Sequence, residues 1–190
     1  MRNLPIGYEI FIQYVPNIPE GIKKAPNEQR GLNASTKNGL NEPLEGRPGK
    51  GREVFYYQSW RLVEAGEYIH ILYIPRWEDY DSEDIVEPGF YADSQAPGTS
   101  VILGEASDFI IKTFCDAPGG IIVTIHPKGD MDDQQYLVGL GENNKVGNII
   151  TKAFNALSST ELCLIQLEIM GFPHDQETGL PGWYLPAQFE

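Results

Sequence analysis

The chain has 190 residues, 41% apolar in the broad sense and 11% aromatic, with 20 glycines, 14 prolines and a net charge of −13. That length and apolar share suit one domain, residues 1–190, with one sizeable core, and exclude disorder of the whole chain. The acidic balance argues against nucleic acid as the main partner, because phosphate contacts need clustered cations.

Charge is unevenly spread. Residues 1–52 carry eight Lys/Arg against five Asp/Glu, while residues 53–190 carry six against twenty-two. A mildly basic arm therefore precedes a strongly acidic body, which favours basic protein partners or simple solubility. No run of about 18 apolar residues is present, so no membrane-spanning helix is expected. The first seven residues lack the charged-then-apolar pattern of a signal peptide, which makes the cytoplasm the expected compartment, or a virion for a viral structural protein. Cys115 and Cys163 each lie in or beside an apolar run, as buried reduced thiols do.

In chain order, the first strand is expected over 8–15, where Tyr8, Ile10, Ile12 and Tyr14 share one face. Residues 16–52 hold five prolines and isolated apolar residues without any period, and read as a long irregular arm inserted between strands. A strand over 53–63, a turn at 64–67 and a returning strand over 68–75 form the clearest hairpin. Residues 76–99 form a second irregular stretch, opening on an acidic run and closing on the turn signals Pro88-Gly89 and Pro97-Gly98.

Further strands are expected over 100–103, 108–114, 120–126 and 134–140. Residues 145–157 are read as the one main helix, because Val146, Ile149, Ile150, Ala153, Phe154 and Leu157 recur at spacings of three and four. A last strand over 161–170 leads into a turn-rich aromatic tail, 171–190, that should dock on the body or on a neighbour. The expected fold is α+β and strand-rich, a largely antiparallel sheet or two packed sheets with that helix on one face.

Chemistry is sparse. His70 lies mid-strand in an apolar run and reads as a satisfied core or sheet-face histidine. His126 ends a strand beside Pro127, with Asp130 and Cys115 as conceivable neighbours, so a hydrolase built on it is the enzymatic alternative. His174 in the tail reads as a surface residue. The acids at Asp79, Asp81 and Glu83 have the alternation of a calcium loop, but its sixth and twelfth positions hold Asp84 and Phe90, so no metal site is expected. Gly139-Leu140-Gly141 lacks the rest of a phosphate or dinucleotide fingerprint, and no cofactor is expected.

What remains is surface character. Trp77 and Tyr80 among Asp79, Asp81, Glu83 and Asp84 put large aromatics beside carboxylates, as interfaces with basic partners do. Trp183 and Tyr184 in the tail are the second candidate contact. The leading expectation is a non-enzymatic interaction protein, a structural or assembly subunit of a virion or other large complex, in a homo- or hetero-oligomer. The alternative is an acidic inhibitor or immunity protein that blocks a basic enzyme such as a nuclease.

Overall fold

The computed structural model describes residues 3–15, 32–49, 56–75, 87–94, 99–128, 136–140, 146–151, 169–170 and 182–186. Its elements there are strands. The first two are β1 (Glu9–Ile10) and β2 (Gln13–Val15), followed by β3 (Leu32–Ser35) and β4 (Glu45–Pro48). The central hairpin is β5 (Trp60–Ala65) and β6 (Tyr68–Tyr73), and the next pair is β7 (Pro88–Tyr91) and β8 (Ile102–Glu105). Then come β9 (Phe109–Ala117), β10 (Gly120–Pro127), β11 (Tyr136–Leu140), β12 (Val146–Thr151), β13 (Ile169–Met170) and β14 (Gly182–Pro186).

Eleven strands form one sheet in the order β1-β5-β6-β9-β10-β14-β2-β3-β4, with β7 paired to β6 and β8 paired to β7. β11, β12 and β13 form a second sheet. Every strand pair is antiparallel. The long sheet folds back on itself. Leu103 N–H donates to Glu42 O at 3.1 Å and Leu44 N–H to Val101 O at 2.9 Å, joining β8 to the segment that enters β4. Thr36 N–H donates to Tyr57 O at 2.8 Å, joining the end of β3 to the approach to β5. Closure of this kind removes exposed strand edges.

One core fills the enclosed space. Trp60, Phe90 and Phe109 are all fully buried. Trp60 and Phe90 meet edge to face with centroids 4.7 Å apart, and Phe90 meets Phe109 in the same way at 6.1 Å. The indole N–H of Trp60 donates to Ala34 O at 3.0 Å, so its one polar atom is satisfied in the interior. At the other end of the core Trp183 packs against Tyr14 at 5.4 Å and donates its indole N–H to Val138 O at 2.7 Å. The small sheet is tied in by a backbone triangle: Leu44 donates to Val101, Val101 to Val146 and Val146 to Leu44, at 2.9, 2.8 and 2.9 Å.

The expected helix over 145–157 is corrected by this arrangement. Val146–Thr151 is strand β12, paired residue for residue with β11 from Leu140↔Val146 to Tyr136↔Ile150. Residues 152–157 lie outside the described residues. The stripe residues within β12 are the β-branched Val146, Ile149 and Ile150, and Gly147 and Asn148 between them are poor helix formers. Such a stretch pairs as a strand once a neighbour supplies the ladder.

The irregular arm over 16–52 is corrected in its second half, where β3 and β4 pair across Leu32↔Pro48, Asn33↔Arg47, Ala34↔Gly46 and Ser35↔Glu45. These residues have poor strand propensity, and tertiary contacts hold them instead. Ala34 N–H donates to Ile12 O at 2.9 Å, and Asn33 Nδ2 donates to Gln58 Oε1 at 2.9 Å. The strand expected over 8–15 is broken in two. β1 pairs with β5 and β2 with β14 and β3, while Ile10 at the end of β1 and Ile12 between the two strands are buried. In the second irregular stretch, Pro88-Gly89 opens β7 instead of making a turn.

The central hairpin is where the sequence places it, but the strand expected over 53–63 begins only at Trp60. Residues 56–59 lie outside any strand and 53–55 outside the described residues, and the turn expected over 64–67 narrows to 66–67. Ala65 and Tyr68 pair across a two-residue loop whose first residue, Gly66, has φ 67°. That is the position where a tight hairpin loop needs a residue at ease with positive φ. The β9–β10 hairpin is longer and carries a bulge: Ile122 lies opposite Cys115 but Val123 lies opposite Thr113, leaving Phe114 as the extra residue.

Candidate functional site

The registers of two strand pairs build one corner of the surface. Ile69 of β6 lies opposite Phe109 of β9, and Phe109 lies opposite Pro127 of β10. These positions face inward or lie in the ladder, so alternation turns their neighbours His70 and Asp108 outward. Lys128 follows β10 directly and donates its backbone N–H to Asp108 O at 3.1 Å. Three residues far apart in sequence therefore meet because two registers agree.

Their side chains interlock. His70 Nε2 lies 2.8 Å from Asp108 Oδ1, and Lys128 Nζ lies 2.6 Å from Asp108 Oδ2. The Lys128 ammonium also stands over the Tyr68 ring, 4.8 Å from its centroid. The Lys128 hydrogen bond, followed by that from His70, holds the Asp108 carboxyl below the ordinary carboxylate range. The same hydrogen bond and the charge of Asp108 push the Lys128 ammonium above its ordinary value.

A cleft of about 750 Å³ opens beside this cluster. Ala92 and Ala106 give it partly exposed apolar wall, and Asp93 and Ser94 stand exposed on its lining. Ser107 also lines it, but its hydroxyl accepts from Ala92 N–H at 3.0 Å and donates to Phe90 O at 3.4 Å. That hydroxyl fastens the end of β7 to the segment before β9. The cleft thus has a carboxylate braced by a histidine, a lysine paired with the same carboxylate and a second carboxylate on its lining. Such a set suits binding of a cationic group better than nucleophilic chemistry, which needs a hydroxyl or thiol within reach of a base. Among the described residues no group of three or more metal-ligating side chains gathers.

Trp77, Asp79, Tyr80, Asp81, Glu83 and Asp84 lie outside the described residues. Trp183 is a core residue, its ring enclosed by its own body. Tyr184, on the opposite face of β14, is half-buried and donates its hydroxyl to Pro118 O at 3.2 Å. The described part of the tail therefore docks on the chain's own β10 and β2.

His126 is only 4% exposed and has Thr124 Oγ1 2.9 Å from its Nε2. Cys115 sits opposite Ile122, four residues along the strand, which is about 13 Å away. No Cys-His pair forms there, and Asp130 lies outside the described residues. Cys115 is half-buried and forms no disulfide. His70 does sit on a sheet face, as its sequence context suggests, yet its carboxylate partner 38 residues away has no local signal.

Comparison with protein-family models and with curated proteins finds no match for this chain. Among the described residues no helix is long and apolar enough to cross a membrane.

Proposed function

We propose that this chain is a non-enzymatic interaction protein that engages a basic protein partner through its acidic body. The observation that carries the reading is the charge at the cleft. Asp93 and Asp108 line it and Glu67 lies close to Lys128, all on exposed or half-exposed positions, and among the described residues Lys128 is the one lysine on its lining. An acidic patch with one internal cation attracts a cationic surface and orients it on approach.

This places the weight on the inhibitor-like form of the reading. The assembly form, in which arm and tail pack on neighbouring subunits of a virion or other large complex, has less support. Residues 32–48 of the arm and Trp183 of the tail are taken up in the chain's own sheet and core. The hydrolase form has least, because His126 is buried beside Thr124 and does not line the cleft.

Co-purification from the native source at low and high salt, with light scattering on the eluted species, tests the proposal. A stoichiometric partner of basic charge, retained at low salt and released at high salt, is the expected result. A lone monomer at both salt concentrations overturns it, and a homo-oligomer unmoved by salt returns the weight to the assembly form.

A further inference from the structure

We propose that Tyr68, Asp108 and Asp93 form a guanidinium site for an arginine of the protein partner, and that Lys128 occupies it as a displaceable internal stand-in. This deepens the proposed function and rests on it for the partner being a protein.

The chain itself displays what the corner recognises. A carboxylate oxygen at 2.6 Å and an aromatic face at 4.8 Å surround the Lys128 ammonium, the two classes of group that bind organic cations. His70 holds the other carboxylate oxygen at 2.8 Å and so fixes the plane of Asp108. Lys128 is a weakly fastened occupant, because its side chain is 57% exposed and exposed ion pairs contribute little. The cleft beside it has room for a second side chain, and the partly exposed Ala92 and Ala106 on its lining suit an aliphatic stem.

Arginine is favoured over lysine on chemical grounds. A planar guanidinium bridges a carboxylate with two parallel hydrogen bonds, stacks on a tyrosine ring and sheds its hydration more readily than an ammonium. An incoming lysine would only replace Lys128 by its equivalent. Asp93, which also lines the cleft and is exposed, is the second carboxylate assigned to the guanidinium.

The full chain, labelled with ¹⁵N, is titrated with the peptide acetyl-Gly-Arg-Gly-amide and with its lysine and citrulline analogues. The arginine peptide is expected to shift the amides of Asp108, Phe109 and Lys128, the lysine peptide to bind several-fold more weakly, and the neutral citrulline peptide to leave the spectrum unchanged. Lys128→Met, which removes the internal competitor, should tighten arginine binding about tenfold. Asp108→Asn and, independently, Asp93→Asn should weaken it in proteins whose spectra remain dispersed. Equal shifts from all three peptides, shifts mapping away from the cleft, or an unchanged affinity in Lys128→Met would overturn the site. A native partner found while the cleft stays silent refutes the site and leaves the proposed function standing. A responsive cleft with no native partner does the reverse.

Discussion

The two faces of the β6–β9 pair differ completely in chemistry although they share a backbone. Inward, Ile71 and Phe109 are fully buried and continue into Phe90 and Trp60. Outward, one residue along each strand, stand His70 and Asp108, with Asp108 bonded to both His70 and Lys128. Stability is concentrated on one side of a single layer and binding chemistry on the other. The lesson is that alternation sets which residues face the core and which face the corner at once, so a one-residue register slip would exchange them.

The largest way to break that comparison is from the inside. Trp60→Ala removes a fully buried ring with an internal hydrogen bond and should cost about 3–5 kcal/mol, read as a lower urea midpoint. If the outer corner depends on the core, the His70 and Asp108 resonances should lose their distinct shifts in the same variant. A smaller break comes at the β10–β14 contact. A Cβ at Gly120 would collide with the Leu185 carbonyl oxygen and the Tyr184 ring. Gly120→Ala should therefore cost about 1–3 kcal/mol in urea unfolding, the usual penalty for overpacking. An unchanged midpoint would show that β14 moves aside freely.

Alkaline titration sharpens the inner side. Burial pushes the Tyr14 phenol up to about 12, with a hydrogen bond from the Leu140 backbone pulling the other way. The unfolded chain ionises near the ordinary value of 10, so the native state keeps its proton longer. This contribution is intact below that value and is lost as pH rises through the interval to about 12. One phenolate should appear in the ultraviolet only at the upper end of the interval, and its appearance at the ordinary value would place Tyr14 in water.

The smallest effect belongs to the outer side. Asp108→Asn removes two contacts from an exposed position, so the urea midpoint at neutral pH should fall only slightly. Because the native carboxyl is depressed, its contribution is present above the ordinary carboxylate value of 3.8 and is lost as pH falls through the lowered value. Wild type and variant should converge once the pH falls below the lowered value, where the carboxyl is protonated in both states. A gap that persists there would assign the effect to shape and not to charge.

Much of the frame was legible in the residues. The β5–β6 hairpin follows from Gly66 between two strand-forming runs, although the aromatic run before Trp60 is not part of it, and β10 follows from its apolar run up to Pro127. The β3–β4 pair was not legible, because Asn33, Ala34, Gly46 and Arg47 are poor strand formers that become strands only against Ile12, Gln58 and Trp60. β12 was misread because a short run of Val and Ile satisfies a helical spacing and a strand equally, until β11 is seen beside it. The corner was hidden for a different reason. Folding the chain about Pro118-Gly119 brings Asp108 opposite Lys128 only after Phe114 is counted as a bulge, and bulges leave no sequence mark.

The triangle of backbone hydrogen bonds among Leu44, Val101 and Val146 has a kinetic consequence. Each of these residues donates to one of the others and accepts from the third, and none of the three bonds can form between sequence neighbours. Closing it requires two long chain segments to be gathered at once, an entropy cost that slows assembly until much of the barrel already exists. The junction therefore belongs to a late step of folding, after the local hairpins. Its three amides should open together, with a single hydrogen-exchange rate, and not one by one.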